Sequence, residues 1–318
     1  MNDTEFYYTY KPFAKPVRIT EQRWPEGTVP LVSISCITYN HEPYIEAALE
    51  GFLIQETDFP FEILIHDDAS TDQTANIIRE YEAKYPRLIK PIYQKENQYS
   101  KTVYQSINGK FNIPRAKGEY IAFCEGDDFW ISSVKLERQY RTAIKSGADF
   151  VFHKAIYEKG EEKWVNEVYE SEERFISFKE HFKNGPSAAP HSTIMLKKDV
   201  FDQVEHKLPG FMTANLAHSS MQYCGFLNGD AYFIPLAMSV YRVQLPGSWS
   251  SRTDQDFNIK IEHINKRIIT LRKLKEGVFL EYKRQINKSI AKIMFRSVLW
   301  NKKMPFLARL KLTVMFFR

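Results

Sequence analysis

The chain has little cysteine and no long apolar run. Its 318 residues include three cysteines, Cys36, Cys124 and Cys224, which are far apart. A disulfide framework or a zinc site needs clustered or regularly spaced cysteines, so neither is expected. No apolar stretch approaches the roughly 20 residues of a membrane-spanning helix, and the first residues lack the basic and apolar regions of a cleavable signal. We therefore expect a cytoplasmic protein in a reducing environment.

Charge is distributed unevenly along the chain. Hydrophobic residues make up 43%, which is enough for the core of one large domain or two small ones, and the net charge is +5. Residues 259–318 hold 16 Lys and Arg against three acidic residues, a net charge of +13, which leaves −8 for residues 1–258. An acidic body with a basic tail predicts an anionic partner for the tail, either membrane lipid or nucleic acid.

The hydrophobic pattern predicts three segments. Residues 1–30 form an irregular arm, residues 31–258 an α/β domain, and residues 259–318 a basic helical tail. After Pro30, strands and helices alternate as in βαβ units, which is typical of a mostly parallel sheet with helices on both faces. The predicted strands are Leu31–Thr38, Phe61–His66, Leu88–Gln94, Tyr120–Cys124, Asp149–Tyr157, His191–Lys197 and Ala231–Tyr241.

The predicted helices lie between these strands and in the tail. Asn97–Arg115 is predicted to be an irregular loop, and the charged stretch Glu158–Glu173 is predicted to be exposed. In the helix Ser132–Ser146, we expect Val134, Leu136, Tyr140 and Ile144 to face the core. The full set of predicted helices is Tyr44–Gln55, Thr74–Tyr85, Ser132–Ser146, Phe178–Lys183, Asp199–Val204, Ala217–Leu227, Ile259–Phe279 and Tyr282–Leu299.

The end of the tail has an amphipathic pattern. After Pro305, apolar residues recur at helical spacing between basic ones. One interpretation is a helix on the anionic inner leaflet of the cytoplasmic membrane, and the other is a helix docked on the protein's own core. Nucleic acid is the least favoured partner. The apolar residues of this pattern are Phe306, Leu310, Val314 and Phe317.

Two acidic clusters directly follow predicted strands. Glu125-Gly126-Asp127-Asp128 comes after Tyr120–Cys124, and Asp67-Asp68 comes after Phe61–His66. Carboxylates suit Mg²⁺ or Mn²⁺, which leave positions open for phosphate oxygens, and ligands of open α/β sheets bind at the carboxyl ends of strands. Solvated acidic turns are the alternative. In the second cluster, Thr71 and Asp72 are expected to cap the next helix.

Four sequence blocks stand out in the segment Leu31–Glu137: Ser33–His41, Asp67–Asp72, Ala116–Ile121 and the DxD-like run Glu125–Trp130. Together they resemble family 2 glycosyltransferases, which have the Rossmann-like GT-A nucleotide-sugar transferase fold. The resemblance implies a metal-dependent, inverting hexosyltransferase that uses a nucleotide-diphosphate sugar, with UDP favoured.

The resemblance implies roles for the residues of these blocks. Tyr39 is expected to pack against the uracil ring, unless it is an ordinary core tyrosine, and Asp68 or its neighbour Asp67 to accept the imide N–H of the base. Asp127 and Asp128 correspond to carboxylates that bind Mn²⁺ or Mg²⁺ and the ribose, and Glu125 occupies the first acidic position. Trp130 is expected beside the sugar pocket, with a core position as the alternative.

The second half of the domain is expected to supply the general base. In the family this is an aspartate before a Val-Tyr-Arg segment; here Val240-Tyr241-Arg242 is present and His218 stands at the aspartate position. Histidine can act as a base near neutral pH. The alternatives are that His218 caps or packs a helix, or that the alignment is shifted and Asp230 or Asp202 takes that role.

Other positions carry weaker expectations from the same resemblance. Arg242 is predicted to bind the diphosphate or to form a salt bridge within the domain, and His191 to lie on the acceptor side. Gln244 stands where the family often has histidine, and Gly247–Ser250 resembles a mobile loop over the donor.

The sequence therefore predicts a transferase that acts on a glycan or lipid-linked acceptor in cell-surface polysaccharide synthesis. One alternative is a non-catalytic scaffold that binds nucleotide-sugar or glycan, suggested by His218 and Gln244. Another is a sugar-phosphate nucleotidyltransferase, although Thr38–His41 lacks the glycines of a phosphate loop.

Overall fold

A computed structural model describes residues 14–101, 106–169, 171–214, 217–245 and 257–294. The chain divides into two compact units. The first comprises Met1–Glu205 and Gly210–Arg242, and the second comprises His206–Pro209 and Val243–Arg318. The predicted division at residues 30 and 258 stays a prediction.

The first unit, as far as the structure describes it, contains a ten-stranded mixed β-sheet and a separate two-stranded sheet, which is formed by the first and third strands of the unit. Its strands are β1 (Val17–Arg18), β2 (Val32–Thr38), β3 (Glu56–Thr57), β4 (Phe61–Asp67), β5 (Ile89–Tyr93), β6 (Tyr120–Glu125), β7 (Phe129–Trp130), β8 (Phe150–Lys159), β9 (Glu162–Val165), β10 (Arg174–Ile176), β11 (Met195–Lys197) and β12 (Ala231–Arg242).

Helices lie between most of these strands, and further helices follow the last strand. They are α1 (Ile45–Leu53), α2 (Thr74–Lys84), α3 (Gln98–Lys101), α4 (Ile113–Arg115), α5 (Lys135–Ser146), α6 (Phe178–Asn184), α7 (Asp199–Lys207), α8 (Phe211–Ala214), α9 (His218–Cys224), α10 (Phe257–Gly277) and α11 (Lys283–Met294).

The strand order of the main sheet is β10-β12-β8-β11-β6-β2-β4-β5, with β7 on β12 and β9 on β8. Strands β6, β2, β4 and β5 are parallel, and β12 is parallel to β8. Strand β11 is antiparallel to both β6 and β8, so β8 and β12 run in the same direction as β6. The carboxyl ends of the parallel strands therefore meet at one edge of the sheet, and the predicted mostly parallel α/β fold is confirmed.

Burial explains why β2 and β4 occupy the centre. Every residue of β4 is buried, and in β2 only Ile37 is partly exposed, because helices cover both faces of a parallel sheet. Helix α1 contributes Ile45, Ala48, Leu49 and Phe52 to the same core. Their spacing places them on one helical face, which is the face that packs on the sheet.

Helix α5 is shorter than predicted, and only some of the predicted side chains face the core. It begins at Lys135, and Gly147 ends it in the left-handed conformation that favours glycine. Leu136 and Tyr140 are buried as predicted, whereas Val134 and Ile144 are exposed, so the prediction for those two residues was wrong.

The stretch predicted to be an irregular loop is more ordered where the structure describes it. A π-helical turn, Asn108–Asn112, leads into α4. Asn108 and Asn112 are buried because both bind Ser35 of β2: its hydroxyl donates to Asn108 Oδ1 at 2.6 Å, and Asn112 Nδ2 donates to that hydroxyl at 3.0 Å.

Two further predictions are corrected by the strands that border the site. His191–Thr193 is a 3₁₀ turn, and only Met195–Lys197 of the predicted strand pairs with its neighbours. The stretch Glu158–Glu173 is not uniformly exposed, because β9 pairs with β8 and Tyr169 is buried.

The described part of the second unit is a pair of helices in contact, α10 and α11. Each helix buries one apolar stripe and exposes basic residues elsewhere. No helix among the described residues is long and apolar enough to span a bilayer. The segment after Pro305, with its predicted amphipathic helix, lies outside the described residues. The buried stripes are Ile264, Ile268, Leu271 and Leu274 on α10 and Ile286 and Ile290 on α11.

Candidate functional site

The two acidic turns flank the end of strand β2. The backbone N–H of Asp68 donates to the carbonyl of Thr38 at 3.0 Å, and that of Gly126 donates to the carbonyl of Ile37 at 2.9 Å. Consecutive carbonyls of β2 thus bind one turn on each side. The predicted meeting of two acidic strand ends at one edge is what the structure shows.

Tyr39 follows β2 and has an exposed ring. Its residue is 40% exposed, so the alternative of an ordinary core tyrosine is wrong. The next residue, Asn40, adopts φ 53°, a conformation that asparagine tolerates better than most residues, and its side-chain oxygen accepts the Thr71 N–H at 2.8 Å. The Ser70 hydroxyl accepts the Asn40 N–H at 2.9 Å, so the neighbouring turn fixes the backbone beside the ring.

Asp67 and Asp68 both hold backbone in this structure. Asp67 accepts the Ser70 hydroxyl at 2.5 Å and the Ser70 backbone N–H at 3.3 Å, and burial raises the pKa of its carboxyl. Asp68 accepts the backbone N–H groups of Gln98 at 2.8 Å and Tyr99 at 2.9 Å. Burial opposes the charge of Asp68, but these bonds and His66 outweigh it and lower its pKa.

Asp72 performs the predicted capping role with a small difference. It lies two residues before α2, and its Oδ1 accepts the Thr74 N–H at 3.0 Å. Its Oδ2 accepts the Glu42 N–H at 3.0 Å, which ties the turn to the loop after β2. Thr71 does not cap α2, because its hydroxyl contacts Asn40 instead.

Glu125 and Asp127 are the carboxylates of the second turn that reach the surface. Their side chains are 37% and 15% exposed, and each lies beside a histidine. His191 Nδ1 lies 3.2 Å from Glu125 Oε1, and His41 Nε2 lies 3.8 Å from Asp127 Oδ2. His41 stands within the first motif, Ser33–His41, but the resemblance implies no role for it.

The protonation of these two carboxyls differs. Burial opposes the charge of Glu125, but the hydrogen bond and positive charge of His191 outweigh it and lower its pKa to about 2. Burial raises the pKa of Asp127, against the opposing charge of His41. Glu125 is therefore an ionised carboxylate next to Asp127, whose carboxyl has the higher pKa. An ionised carboxylate in this position is suited to binding a cation.

Asp128 lies behind the surface carboxylates. It is fully buried, and its Oδ1 accepts the backbone N–H of Arg242 at 2.9 Å. Its Oδ2 has no hydrogen-bond partner among the described residues, and burial raises its pKa well above the ordinary value. In this conformation Asp128 positions the end of β12 through Oδ1, and its contact with metal or ribose stays a prediction.

Arg242 joins β12 to the acidic turn. Its Nη1 donates to the backbone carbonyl of Asp127 at 2.8 Å, and its Nε donates to Glu158 at 3.2 Å. The guanidinium also lies 4.4 Å from the ring centre of Phe129, a cation–π contact. The alternative of a salt bridge within the domain is therefore present, and diphosphate binding by Arg242 stays a prediction.

Trp130 is a core residue and does not line a sugar pocket. It is 1% exposed, and its indole Nε1 donates to the carbonyl of Ser192 at 3.0 Å. Gln139 of α5 donates to the next carbonyl, Thr193, at 2.9 Å. The two side chains hold the turn that presents His191 to Glu125, so the sugar-pocket assignment of Trp130 was wrong.

Helix α9 begins with the predicted base, His218. His218 is partly exposed, and its ring centre lies 5.1 Å from that of His191. Burial, followed by the charge of His191, lowers its pKa to about 3, and the charge of Glu125 acts in the opposite direction. A ring with this pKa is a weak proton acceptor at neutral pH, which weakens the prediction of a general base.

The alternative bases lie elsewhere. Asp230 directly precedes β12 and is exposed at the opposite edge of the sheet, because β12 is parallel to β6. Asp202 is exposed on α7, which follows β11 at that same opposite edge. Gln244 has φ 58°, and the predicted mobile loop Gly247–Ser250 lies outside the described residues.

The carboxylates at this edge of the sheet suit a divalent ion that also binds a phosphate ligand. No group of three or more His, Cys, Asp or Glu side chains in the described ranges is arranged to hold a metal alone. Glu125 and Asp127 supply carboxylate oxygens, and Mg²⁺ or Mn²⁺ commonly binds through one or two carboxylates plus substrate phosphates. The site therefore suits a cation that binds together with a diphosphate.

Comparisons with known proteins agree with this architecture. An uncharacterised protein of Mycobacterium tuberculosis is 33% identical over 229 residues, which cover 69% of this chain and 61% of that protein. The putative teichuronic acid biosynthesis glycosyltransferase TuaG of Bacillus subtilis is 34% identical over 39% of this chain and 46% of its own length. The chain thus spans about half to three fifths of these curated relatives.

Two solved structures share the fold at low sequence identity. S. aureus TarS 1-349 in complex with UDP-GlcNAc superimposes with a TM-score of 0.64 at 17% identity, covering 89% of this chain and 79% of that one. The mannosyltransferase PcManGT from Pyrobaculum calidifontis, in complex with GDP-Man and Mn²⁺, gives 0.54 at 14% identity, covering 99% and 79%. At these identities the likeness establishes the fold alone.

The family follows from the sequence match. A model of the family described as "Glycosyl transferase family 2" matches residues 33–204, which is more than half of the chain and includes both acidic turns. The chain belongs to glycosyltransferase family 2.

Proposed function

We propose that this protein transfers a sugar from a nucleotide-diphosphate donor to a glycan or lipid-linked acceptor, with inversion at the anomeric carbon. One observation carries the proposal: both acidic turns bind consecutive carbonyls at the end of β2, beside the exposed ring of Tyr39. A flat aromatic ring next to carboxylates that can hold a cation suits a base linked to a diphosphate.

The proposed cation is Mn²⁺ or Mg²⁺, held by Glu125 and Asp127. When bound, such an ion offsets the charge that develops on the departing diphosphate. His191 and His41 orient the two carboxylates through the contacts described above. Arg242 is proposed to add positive charge at the same turn, since its guanidinium already binds the backbone of Asp127.

The proposed donor nucleotide is UDP, with the uracil on Tyr39. Asp67 and Asp68 lie on the same side of β2, and both oxygens of Asp68 are occupied by backbone N–H groups in this structure. The predicted hydrogen bond between Asp68 and the imide N–H of the base requires that one of these two backbone N–H groups first separates from the carboxylate. Until then Asp68 anchors the short helix α3 beside the base.

The proposed setting is cell-surface polysaccharide synthesis at the inner face of the cytoplasmic membrane. The name of one relative supports it, since TuaG of Bacillus subtilis is described as a putative teichuronic acid biosynthesis glycosyltransferase. The described tail supports attraction to anionic lipid, because its apolar stripes are buried and basic residues are exposed. The exposed basic residues are Lys273, Lys283, Arg284, Lys288 and Lys292.

Release of nucleoside diphosphate tests the transferase proposal. The protein is incubated with UDP-, GDP- and dTDP-sugars, with Mn²⁺, Mg²⁺ or EDTA, and free nucleotide is measured. We expect metal-dependent release from a UDP-sugar, and loss of release in Asp127→Asn. Asp202→Asn is the matched control, because Asp202 is exposed on α7 and distant from the acidic turns.

The outcomes separate the competing functions. Metal-dependent release by wild type and by Asp202→Asn, but not by Asp127→Asn, supports the proposal. Donor binding in a thermal-shift assay without any release supports the non-catalytic scaffold instead. Release of pyrophosphate from a nucleoside triphosphate and a sugar phosphate would identify a nucleotidyltransferase.

Sedimentation with lipid vesicles tests the tail. We expect binding to vesicles that contain anionic lipid, loss of binding as salt is raised, and no binding to neutral vesicles. Equal binding to both vesicle types would contradict an electrostatic attachment.

A further inference from the structure

A buried chain of hydrogen-bonding groups ends at His218. The hydroxyl of Tyr169 lies 2.8 Å from His181 Nδ1, and His181 Nε2 lies 2.7 Å from Gln222 Oε1. Gln222 Nε2 in turn lies 2.7 Å from His218 Nε2. Tyr169, His181 and Gln222 are all buried, so water does not compete for these contacts.

The orientation of the Gln222 amide is fixed by its surroundings. Its Nε2 lies 2.7 Å from the carbonyl of Ala189 and 3.1 Å from that of Pro186. Carbonyls only accept hydrogen bonds, so the NH₂ group must face them and Oε1 must face His181. His181 Nε2 therefore carries a proton and donates it to Gln222, while His181 Nδ1 accepts from the hydroxyl of Tyr169.

The tautomer of His218 follows from the same amide. If His218 Nε2 carried a proton, two N–H groups would face each other at 2.7 Å, which is repulsive. His218 Nε2 must therefore accept from Gln222, and the proton of the neutral ring must lie on Nδ1. The two hydrogens of the Gln222 amide go to its two acceptors at 2.7 Å, Ala189 and His218 Nε2, and the Pro186 carbonyl at 3.1 Å is the longer contact. The 3.2 Å approach of His218 Nε2 to the Ala189 carbonyl is then a contact without a hydrogen bond, because the unprotonated Nε2 has no proton to donate.

The neutral form of His218 is the stable one in this environment. Burial lowers its pKa to about 3, so the ring remains uncharged at neutral pH. Its ring lies beside His191, which binds Glu125 of the acidic turn. His218 therefore presents a fixed neutral ring next to the proposed metal-diphosphate site.

We propose that His218 is a hydrogen-bond donor, with Nδ1–H directed to an oxygen of the bound sugar substrate, and that it does not accept the proton of the acceptor hydroxyl. This inference rests on the proposed function for the identity of the ligand, but the tautomer itself does not. A donor held by a buried network is pre-oriented, so it binds a ligand oxygen without loss of ring freedom.

Nitrogen NMR of the ligand-free protein tests the tautomer directly. In ¹⁵N-histidine-labelled protein, long-range ¹H–¹⁵N correlation spectra distinguish a protonated Nδ1 from a protonated Nε2. The resonances of His218 are assigned by their loss in His218→Asn. We expect a protonated Nδ1 and an unprotonated Nε2 across neutral pH, whereas a protonated Nε2 overturns the proposal.

Two substitutions test the role in catalysis. The amide nitrogen of asparagine can take the place of Nδ1, and that of glutamine the place of Nε2. We expect His218→Asn to retain nucleotide-sugar turnover within about tenfold of wild type, and His218→Gln to lose about a hundredfold or more, the usual effect of removing one oriented donor. Equal and severe losses in both variants would indicate a proton acceptor and overturn the proposal.

Controls keep these results separate from folding and from the proposed function. His206→Asn and His206→Gln, at an exposed position of α7, report the effect of each substitution on the assay. Both His218 variants are compared with wild type by thermal unfolding before turnover is interpreted. If wild-type protein shows no turnover, the proposed function fails, while the NMR spectra still decide the tautomer.

Discussion

Lys135 is an amine in the interior of the first unit, and its replacement by methionine gives a prediction that depends on pH. Lys135 is fully buried at the start of α5. Its Nζ donates to Gln139 Oε1 at 2.6 Å and lies 3.8 Å from the ring centre of Trp130. Burial lowers its pKa from 10.5 to about 7. Lys135→Met keeps a similar length and removes the amine.

The sign of the effect follows from proton linkage. Between pH 7 and 10.5 the unfolded chain holds the Lys135 proton more tightly than the folded protein does, so unfolding takes up a proton. The free energy of unfolding of wild type therefore rises with pH in this window, relative to a chain that lacks the amine. Below pH 7 the full cost of burying the charge is present.

The magnitude comes from the two pKa values. Each pKa unit corresponds to about 1.4 kcal/mol, so the fall from 10.5 to about 7 corresponds to about 5 kcal/mol at acidic pH. Between pH 7 and 9 the linkage changes the free energy of unfolding by about 2 kcal/mol. The Trp130 ring stabilises the ammonium by roughly 0.5–2 kcal/mol, which lowers the expected change to about 1 to 2 kcal/mol.

Urea unfolding at pH 7, 8 and 9 provides the assay. We expect the stability of Lys135→Met relative to wild type to decrease by about 1 to 2 kcal/mol over this range. The lost bond to Gln139 adds a constant cost that does not depend on pH. Lys145→Met, at an exposed position of the same helix, should show no such pH trend. Parallel pH profiles for wild type and Lys135→Met would refute the reasoning.

Three further predictions concern side chains around the site. Gly51→Ala should destabilise the protein by about 1–3 kcal/mol in urea unfolding, because the added Cβ would lie 2.7 Å from the backbone oxygen of Trp130; unchanged stability would contradict this contact. Gln139→Met should lower turnover more than Gln55→Met does, although the two variants should lose similar stability. Both amides are buried and donate to two backbone carbonyls, but only Gln139 binds the turn that carries His191. Arg242→Lys should lower kcat/KM for the nucleotide-sugar by about tenfold in steady-state assays, because lysine cannot reproduce the planar guanidinium contacts; an unchanged value would remove this arginine from the site.

The parallel strands were predictable because their apolar runs end in polar turns. Strands β2, β4 and β6 lie within one residue of the predicted bounds at each end, and the acidic turns follow from their parallel direction. The order β6-β2-β4 could not be read from the chain, but any order that places β2 between the other two brings both turns to its end.

The wrong predictions concern side chains that could lie either in the core or at the site. Trp130 follows the acidic turn, and sequence alone does not show that the carbonyl of Ser192 is available to its indole. Asn108 and Asn112 looked like loop residues, yet both bind Ser35 in the interior. Polar residues of this kind are buried only because a distant partner satisfies them, and hydrophobic periodicity does not encode such partners.

Cys36 of β2 and Cys124 of β6 are free thiols that lie side by side in neighbouring parallel strands, next to the acidic turn that follows β6. Both thiols are fully buried, and burial, together with nearby carboxylates, raises their pKa values. Neither thiol can react with an alkylating reagent while the strand ends remain closed, because the reagent needs access and a thiolate. The rate at which these cysteines become modified therefore reports how often the strand ends open, without any introduced label, and a ligand that bridges the two turns should slow it.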